Sequence, residues 1–170
     1  MHRVLMIGAL ALGVAACSRG NNAAIATFQP KSGTQVTGTA TFNQVGDKVQ
    51  VVVNAKSLSP GKHGIHIHEK GDCSASDASS AGGHFAHGSE HHAGPTDAGR
   101  HDGDLGNLEA DSDGNATWTV TTDSLSIGKG DNDIIGKSIV IHGDPDDLKT
   151  QPSGNSGGRI ACGVIEAKTD

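Results

Sequence analysis

Apolar and polar residues alternate with a period of two in several short segments of this chain, and this alternation constrains its fold most. In residues 35–42 the apolar and small side chains share one side and the threonines the other. Residues 48–55 alternate through three valines, and residues 115–122 through an alanine, a tryptophan and a valine. Successive side chains of a strand point to opposite faces, so the pattern predicts β-strands. No stretch carries the sustained 3.6-residue apolar period of a helix.

The segments between these alternating runs predict how the strands are connected. Gly46 and Asp47 separate the first two runs and are typical of a hairpin turn. Further candidate strands cover residues 64–68, 138–142 and 160–165. Two long segments, 69–104 and 143–158, lack a strand pattern, and such loops are rare in a compact domain unless they are functional. We therefore expect an all-β antiparallel sandwich or barrel with two long functional loops.

The first sixteen residues have the layout of an export signal. They combine a basic start, a short apolar run and small residues, and the run is shorter than the roughly 20 residues that a membrane span needs. The sequence VAAC at residues 14–17 is similar to a bacterial lipobox, in which the cysteine is lipidated. Ordinary signal cleavage with an unmodified Cys17 is the alternative. We expect a signal peptide at 1–16, a tether at 17–24 and one domain at 25–170.

This layout also predicts where the protein resides. A lipidated Cys17 would attach the chain to a membrane, and a lipid with three chains holds more firmly than a single chain. Ser18 follows the cysteine, and by analogy with the common sorting pattern it favours the outer membrane. We therefore expect a protein of the periplasm or cell envelope that is anchored to the outer membrane.

Charge and composition exclude some classes of partner. The formal net charge is −6, and loss of the signal with Arg3 makes the chain one unit more acidic. An acidic chain without a basic run argues against nucleic acid as a partner. The chain has no tyrosine, one tryptophan and three phenylalanines, so its core must be mainly aliphatic.

Three cysteines are present, and two remain if Cys17 is lipidated. Cys73 and Cys162 would lie in an oxidising compartment, where a pair of cysteines tends to form a disulfide. Such a bridge would stabilise the fold by about 4 kcal/mol in the chain-entropy description.

Ten histidines are present, and eight of them fall between residues 63 and 101. His66 and His68 lie in a predicted strand, where alternation places both imidazoles on one face and Ile65 and Ile67 on the other. Two imidazoles on one face, two residues apart, are able to chelate one ion. His63 has the parity of the isoleucines and is expected to be a packed structural residue.

The remaining histidines complete two predicted metal sites. His84, His92 and His101 are followed by an aspartate, and three imidazoles with a carboxylate suit a structural zinc. His142 ends an aliphatic run and would supply a third imidazole to His66 and His68. Copper favours such imidazole-rich sites.

Six motifs together resemble the copper–zinc superoxide dismutase family over nearly the whole chain after the signal. They are GIHIHEKGDC, GGHFAHG, HHAGP, RHDGDLGN, IIGKSIVIHGDPDD and GGRIACGVI, and they occur in the family's order and spacing. The resemblance is to bacterial members and implies an eight-stranded Greek-key β-barrel. It also implies an oxidoreductase that converts two superoxide radicals and two protons to oxygen and hydrogen peroxide by ping-pong copper redox cycling.

The same resemblance implies roles for individual residues. The implied copper ligands are His66, His68, His84 and His142. The implied zinc ligands are His84, which bridges both metals, with His92, His101 and Asp104. Asp146 resembles the aspartate that ties a copper histidine to a zinc histidine. Arg159 and His84 resemble the catalytic residues, and Cys73 and Cys162 the intrachain disulfide.

Several alternatives stay open on the sequence alone. His91 adjoins His92, and the HxGP spacing favours His92 as the zinc ligand. His87 and His91 have no assigned role, and Lys149 either guides an anion or is a solvated loop lysine. An envelope copper or zinc buffer without turnover would use the same ligands, and the chain is a monomer or a homodimer.

Overall fold

A computed structural model describes residues 23–88 and 91–169 of the chain. The predicted signal peptide and the candidate lipid site, Cys17, lie outside the described residues. Within the described part, no helix is long and apolar enough to cross a bilayer.

Nine antiparallel strands and one short 3-10 helix, Ser79–Ala81, form the described fold. The strands are β1 Ala23–Pro30, β2 Thr37–Val45, β3 Lys48–Lys56, β4 Gly61–His68, β5 Asp104–Ala110, β6 Ala116–Thr122, β7 Ser138–His142, β8 Arg159–Val164 and the two-residue β9 Glu166–Ala167.

Eight strands follow one another around a nearly closed barrel in the order β5-β4-β7-β8-β1-β2-β3-β6, while β9 pairs with β1. Strand β1 joins the two halves, because its first part pairs with β2 and its last two residues pair with β8. Strands β3 and β4 follow each other in the chain but pair with β6 and β7, as connections crossing the barrel end require. The all-β antiparallel class and the eight-stranded Greek-key barrel are confirmed.

The barrel interior is mainly aliphatic, as the scarcity of aromatic residues predicts. Phe42, Val51, Ile65 and Ile139 are fully buried among residues from both halves of the barrel. Burying side chains of this size contributes roughly 1.5–3 kcal/mol each. The β2–β3 hairpin turns at Gly46, whose φ of 64° is left-handed and favours glycine.

Two strands begin where the alternation alone does not indicate them. Strand β1 starts at Ala23, two residues before the predicted start of the domain, and Ala24 and Ala26 are buried. Its inward positions are mostly alanine, a weak strand former, so the pattern is faint. Strand β5 contains a glycine and an asparagine, which are also depleted in strands.

Within the described residues, the two long segments predicted as loops are loops apart from the helix Ser79–Ala81 and Asp104, which begins β5. The metal-binding loop, residues 69–103, connects β4 to β5, and the channel loop, residues 143–158, connects β7 to β8. A disulfide joins Cys73 of the metal-binding loop to Cys162 of β8, with the Cα atoms 5.7 Å apart. Strands β4 and β7 are antiparallel, so the two loops leave this pair at opposite ends. Both fold back over its outward face, where Asp146 of the channel loop contacts His66 and His84 of the metal-binding loop pairs with His68.

Candidate metal centre

Strand β4 presents two histidines to the metal-binding loop. His66 and His68 are fully buried on one face, and Ile65 and Ile67 enter the core from the other. His63 has the parity of the isoleucines and is also buried. It contacts two backbone carbonyl oxygens, that of His142 at 2.8 Å from Nδ1 and that of Ser59 at 2.9 Å from Nε2. The predicted structural role of His63 agrees with these contacts.

Four imidazoles from three parts of the chain converge on one point. In each of them, one ring nitrogen lies within 4.8 Å of a ring nitrogen of every other: His66, His68, His84 and His142. His68 Nε2 and His142 Nε2 are 3.4 Å apart. His84 reaches the group because its backbone forms an isolated bridge with His68.

Hydrogen bonds orient each of these rings from its outer nitrogen. His66 donates from Nε2 to Asp146 at 2.8 Å, and His84 donates from Nδ1 to Asp104 at 2.8 Å. The other two rings donate from Nδ1 to backbone carbonyls, His68 to Gly82 at 3.0 Å and His142 to Gly157 at 3.3 Å. A neutral imidazole that donates from one nitrogen keeps a lone pair on the other. The four remaining lone pairs therefore face one another.

The protonation of these rings suits ligands. Burial lowers the pKa of His66 and, further, those of His68 and His142, and it lowers the pKa of His84 to about 4. The rings are therefore neutral at neutral pH, as metal ligation requires.

A second cluster forms around the carboxylate of Asp104. The Nδ1 atoms of His84, His92 and His101 lie 2.8, 3.0 and 3.3 Å from Asp104 Oδ1. The backbone N–H groups of Ala93 and His101 donate to Oδ2 and fix the carboxylate. Ligands at zinc–nitrogen distances of about 2.0–2.1 Å stand roughly 3.3 Å apart in a tetrahedron, so the three distances to Asp104 Oδ1 are near those of a zinc site.

Charge in the second cluster is set by its two carboxylates. Burial would raise the pKa of Asp104, but hydrogen bonds from His84 and His92 hold it well below its usual range. Burial would also lower the pKa of His92, yet its hydrogen bonds to Asp104 and Asp146 raise it to about 9. A cation bound there would displace the proton at His92 Nδ1.

Asp146, from the channel loop, links the two clusters. Its Oδ2 accepts from His66 Nε2 at 2.8 Å, and its Oδ1 accepts from His92 Nε2 at 2.9 Å. Gly154 packs so closely that a Cβ atom there would lie 1.8 Å from Asp146 Oδ1. At the second cluster, the ligand atoms that all lie within 4.8 Å of one another belong to His66, His84, His92 and Asp104; His101 is not in this set. His66 already donates from Nε2 to Asp146, which leaves its unpaired Nδ1 as the available ligand atom.

The residues fit copper and zinc on these observations. Among the described residues, His66 Nδ1 and His84 Nε2 are buried nitrogens without a hydrogen-bond partner. Buried polar atoms are rarely left in that state, so a ligand for them is expected. An all-imidazole set suits copper, and a set of three imidazoles and one carboxylate suits zinc.

A small cavity leads to the first cluster from solvent. Its volume is about 210 Å³. It is lined by His68, Gly83, His84, His142, Pro152, Ser153, Gly157 and Arg159. Arg159 donates to the Ala78 carbonyl at 2.7 Å and to the Gly82 carbonyl at 2.6 Å, which turns its guanidinium toward the cavity. Burial lowers the pKa of Arg159, but arginine stays positive at neutral pH.

The residues left open by the sequence lie away from the two clusters. His91 is exposed, whereas the neighbouring His92 is buried. His87 donates from Nδ1 to Asp102 at 2.7 Å and is about half exposed. Lys149 is exposed and does not line the cavity.

Two amide side chains near the site were not among the predicted site residues. Asn107 contacts the backbone of Asp146, and Gln151 contacts the backbone of His92. Asn107 lies within the quoted motif RHDGDLGN, which is the signal that points to it.

Comparison with known proteins agrees with this geometry. The family profile described as "Copper/zinc superoxide dismutase (SODC)" matches residues 36–165. An extracellular superoxide dismutase [Cu-Zn] of Caenorhabditis elegans is 40% identical over 172 residues, covering 96% of this chain and 77% of the relative. A crystal structure of the clock protein EA4 superposes with a TM-score of 0.81 at 36% identity, covering 94% of this chain and all of that one. The chain therefore belongs to the copper/zinc superoxide dismutase family.

Proposed function

We propose that this chain dismutes superoxide at a copper ion beside a structural zinc ion. The proposed copper ligands are His66, His68, His84 and His142, and the proposed zinc ligands are His84, His92, His101 and Asp104. The position of His84 carries the proposal, because its Nδ1 meets the carboxylate of one cluster while its Nε2 lies unpaired in the other.

Copper, when bound, supplies the one-electron redox change that converts superoxide to oxygen and to hydrogen peroxide. The protein's own part begins with orientation. Asp146 ties a ring of each cluster to one carboxylate, so His66 and His92 keep a fixed relation. His84 is able to hold a proton at Nε2, at the inner end of the cavity where the product needs one. Arg159 attracts the anionic substrate into the same cavity.

A copper or zinc buffer is the competing function. It would need the ligands but neither a shared histidine nor a cation at the cavity. Both features are present here, with Arg159 held by two carbonyl groups so that it faces the cavity. They favour turnover over storage.

The test is dismutation by the chain without its first 16 residues, after loading with both metals. Rapid, cyanide-sensitive activity at about one copper and one zinc ion per chain is expected, with none in the metal-stripped control. Tight copper binding without turnover would contradict the enzyme and support the buffer.

Replacing Arg159 with glutamine should lower kcat/KM about 10-fold and flatten its dependence on ionic strength. The chain is acidic overall, so long-range attraction of an anion must come from a local cation. Stopped-flow dismutation assays at several salt concentrations measure both quantities. Arg159→Lys is the control, since it keeps the charge, and it should retain much of the salt dependence. Wild-type kinetics in Arg159→Gln would contradict a role in attracting the substrate and would show that Arg159 only stabilises the loop.

We also propose that Cys17 anchors the protein to the outer membrane after removal of residues 1–16. The enzyme domain, predicted as residues 25–170, then includes the start of β1 at Ala23. The disulfide supports an oxidising compartment, and the Caenorhabditis elegans relative is named as extracellular. Mass spectrometry of the exported protein should find a lipid on Cys17, and Cys17→Ser should release it from membranes. An unmodified, soluble wild-type protein would contradict the anchor.

A further inference from the structure

Gln151 of the channel loop makes a reciprocal pair of hydrogen bonds with the backbone of His92. Its Oε1 accepts from the His92 N–H at 2.9 Å, and its Nε2 donates to the His92 carbonyl at 2.7 Å. A flat amide that satisfies both backbone groups of one residue fixes that residue's position and its rotation about the chain. The two residues are 59 positions apart, so this contact joins two separate loops.

His92 is the residue of the second cluster whose ring is held by both carboxylates. Its ring donates from Nδ1 to Asp104 and from Nε2 to Asp146, and it is buried. On the N-terminal side, the backbone of the exposed His91 bonds to Gly99 and His101. The backbone of His92 is held on its C-terminal side by Ala93, whose N–H donates to Asp104. Gln151 is what holds the backbone N–H and carbonyl of His92 itself.

A matching contact secures the other member of the His92–Asp146 pair. Asn107 Nδ2 donates to the Asp146 carbonyl at 3.0 Å, and the Asp146 N–H donates to Asn107 Oδ1 at 2.7 Å. Each partner of the ring–carboxylate hydrogen bond therefore has its backbone fixed by a side-chain amide. Gln151 also precedes Pro152 and Ser153, which line the cavity, so the same contact joins the cavity wall to the second cluster.

We propose that Gln151 is a positioning residue for zinc, which holds His92 Nδ1 toward Asp104 and couples zinc retention to the placement of the cavity wall. This inference rests on the proposed function, in which His92 is a zinc ligand. Residues behind a ligand typically change metal affinity 10- to 100-fold when they are altered. Gln151 acts on the zinc cluster more directly than on the copper cluster, because it contacts His92 itself, whereas Asp146 and the carbonyls of Gly82 and Gly157 orient the three histidines proposed to bind copper alone.

The experiment compares Gln151→Met with the wild type and with Asn155→Gly. Methionine keeps the approximate volume of glutamine without either hydrogen bond, and residue 151 is exposed, so the variant should fold. Asn155→Gly removes bonds to Asp147 and Thr150 inside the channel loop, tolerates the positive φ at this position, and leaves His92 untouched. It therefore controls for a generally loosened loop.

Zinc and copper loss to a chelator should be timed separately on the fully loaded proteins. Zinc loss should be about 10-fold faster in Gln151→Met, with copper loss changed less than about twofold. The visible spectrum of cobalt(II) bound in place of zinc should also shift, because His92 takes a new orientation. Asn155→Gly should match the wild type in all three measurements.

The outcomes separate this inference from the proposed function. Unchanged zinc loss and cobalt spectrum in Gln151→Met would overturn the positioning role, as would an equal effect in Asn155→Gly. His92→Ala, compared with the wild type by zinc titration and by thermal unfolding of the metal-free proteins, tests the ligand itself. A folded His92→Ala protein with wild-type zinc affinity would overturn the zinc assignment as well.

Discussion

Replacing His84 with alanine should lower kcat/KM for superoxide by at least about 100-fold, the lower end of what one placed proton-transfer group contributes. His84 is the side chain shared by the two clusters. Its Nδ1 contacts Asp104 at 2.8 Å and its Nε2 is buried without a hydrogen-bond partner. The variant loses a proposed ligand of each metal together with the nitrogen placed to hold a proton at the cavity.

The measurement is pulse-radiolysis or stopped-flow dismutation, with the bound metals counted and copper re-added to saturation. His87→Ala is the matched control, since His87 lies three residues away, is about half exposed and contacts Asp102 rather than either cluster. The control should keep wild-type kinetics. Near-normal dismutation by copper-saturated His84→Ala would contradict the bridging role, while leaving the other six proposed ligands open to test.

The features that the sequence predicted best depend on the local geometry of one strand. Alternation in β4 places His66 and His68 on one face and assigns His63 to the other, and the structure agrees. The same reasoning predicts the β2–β3 hairpin and its turn at Gly46. A period of two is a property of each strand alone, so no knowledge of strand pairing is needed.

Convergence of the two clusters could not be derived from the residues alone. His84 and His142 reach the face of β4 only because the metal-binding loop folds back and β7 pairs beside β4. Strand pairing between distant segments leaves no local trace. The residues suggested His142 as a third imidazole beside His66 and His68, but the place of His84 in both clusters came from the family resemblance. Members of a family share one strand pairing, so a resemblance to the family predicts contacts between distant segments. Alternation within a single strand does not predict such contacts.

The role of Gln151 was predicted neither by the residue pattern nor by the family resemblance. Its contact with His92 joins a side-chain amide to a backbone 59 residues away, and a lone glutamine in a polar loop has no periodicity or spacing to mark it. Gly154 is similar, because its need to lack a Cβ atom comes from a carboxylate packed against it. Contacts of this kind are set by the loop conformation, which the sequence pattern did not determine.

Replacing Cys73 and Cys162 together with serine should lower the free energy of unfolding by about 4–5 kcal/mol. The disulfide closes a loop with a sequence separation of 89, and in the chain-entropy description a long loop gives a large effect. For a domain of this size the loss corresponds to a fall in Tm of about 10 °C or more. Urea unfolding of the metal-free proteins at two temperatures measures this loss of unfolding free energy without the contribution of bound metals. The dependence of the unfolding free energy on urea concentration should be compared between the variant and the wild type.

A second effect of the same variant should appear below its Tm. Ala78 and Gly82, whose carbonyls hold Arg159, lie on the segment that Cys73 attaches to β8, so losing the bridge should free the guanidinium. We expect kcat/KM per bound copper to fall toward the value of Arg159→Gln, with the copper counted in each sample because the Gly82 carbonyl that holds Arg159 also orients His68. Ser80→Ala is the control, since it removes bonds to Asp72 and Ala75 on that segment but keeps the bridge.

Unchanged stability in the double variant would refute the entropic estimate. Unchanged kcat/KM would show that Lys31, which donates to the Cys73 carbonyl, is sufficient to hold the segment and Arg159 in place.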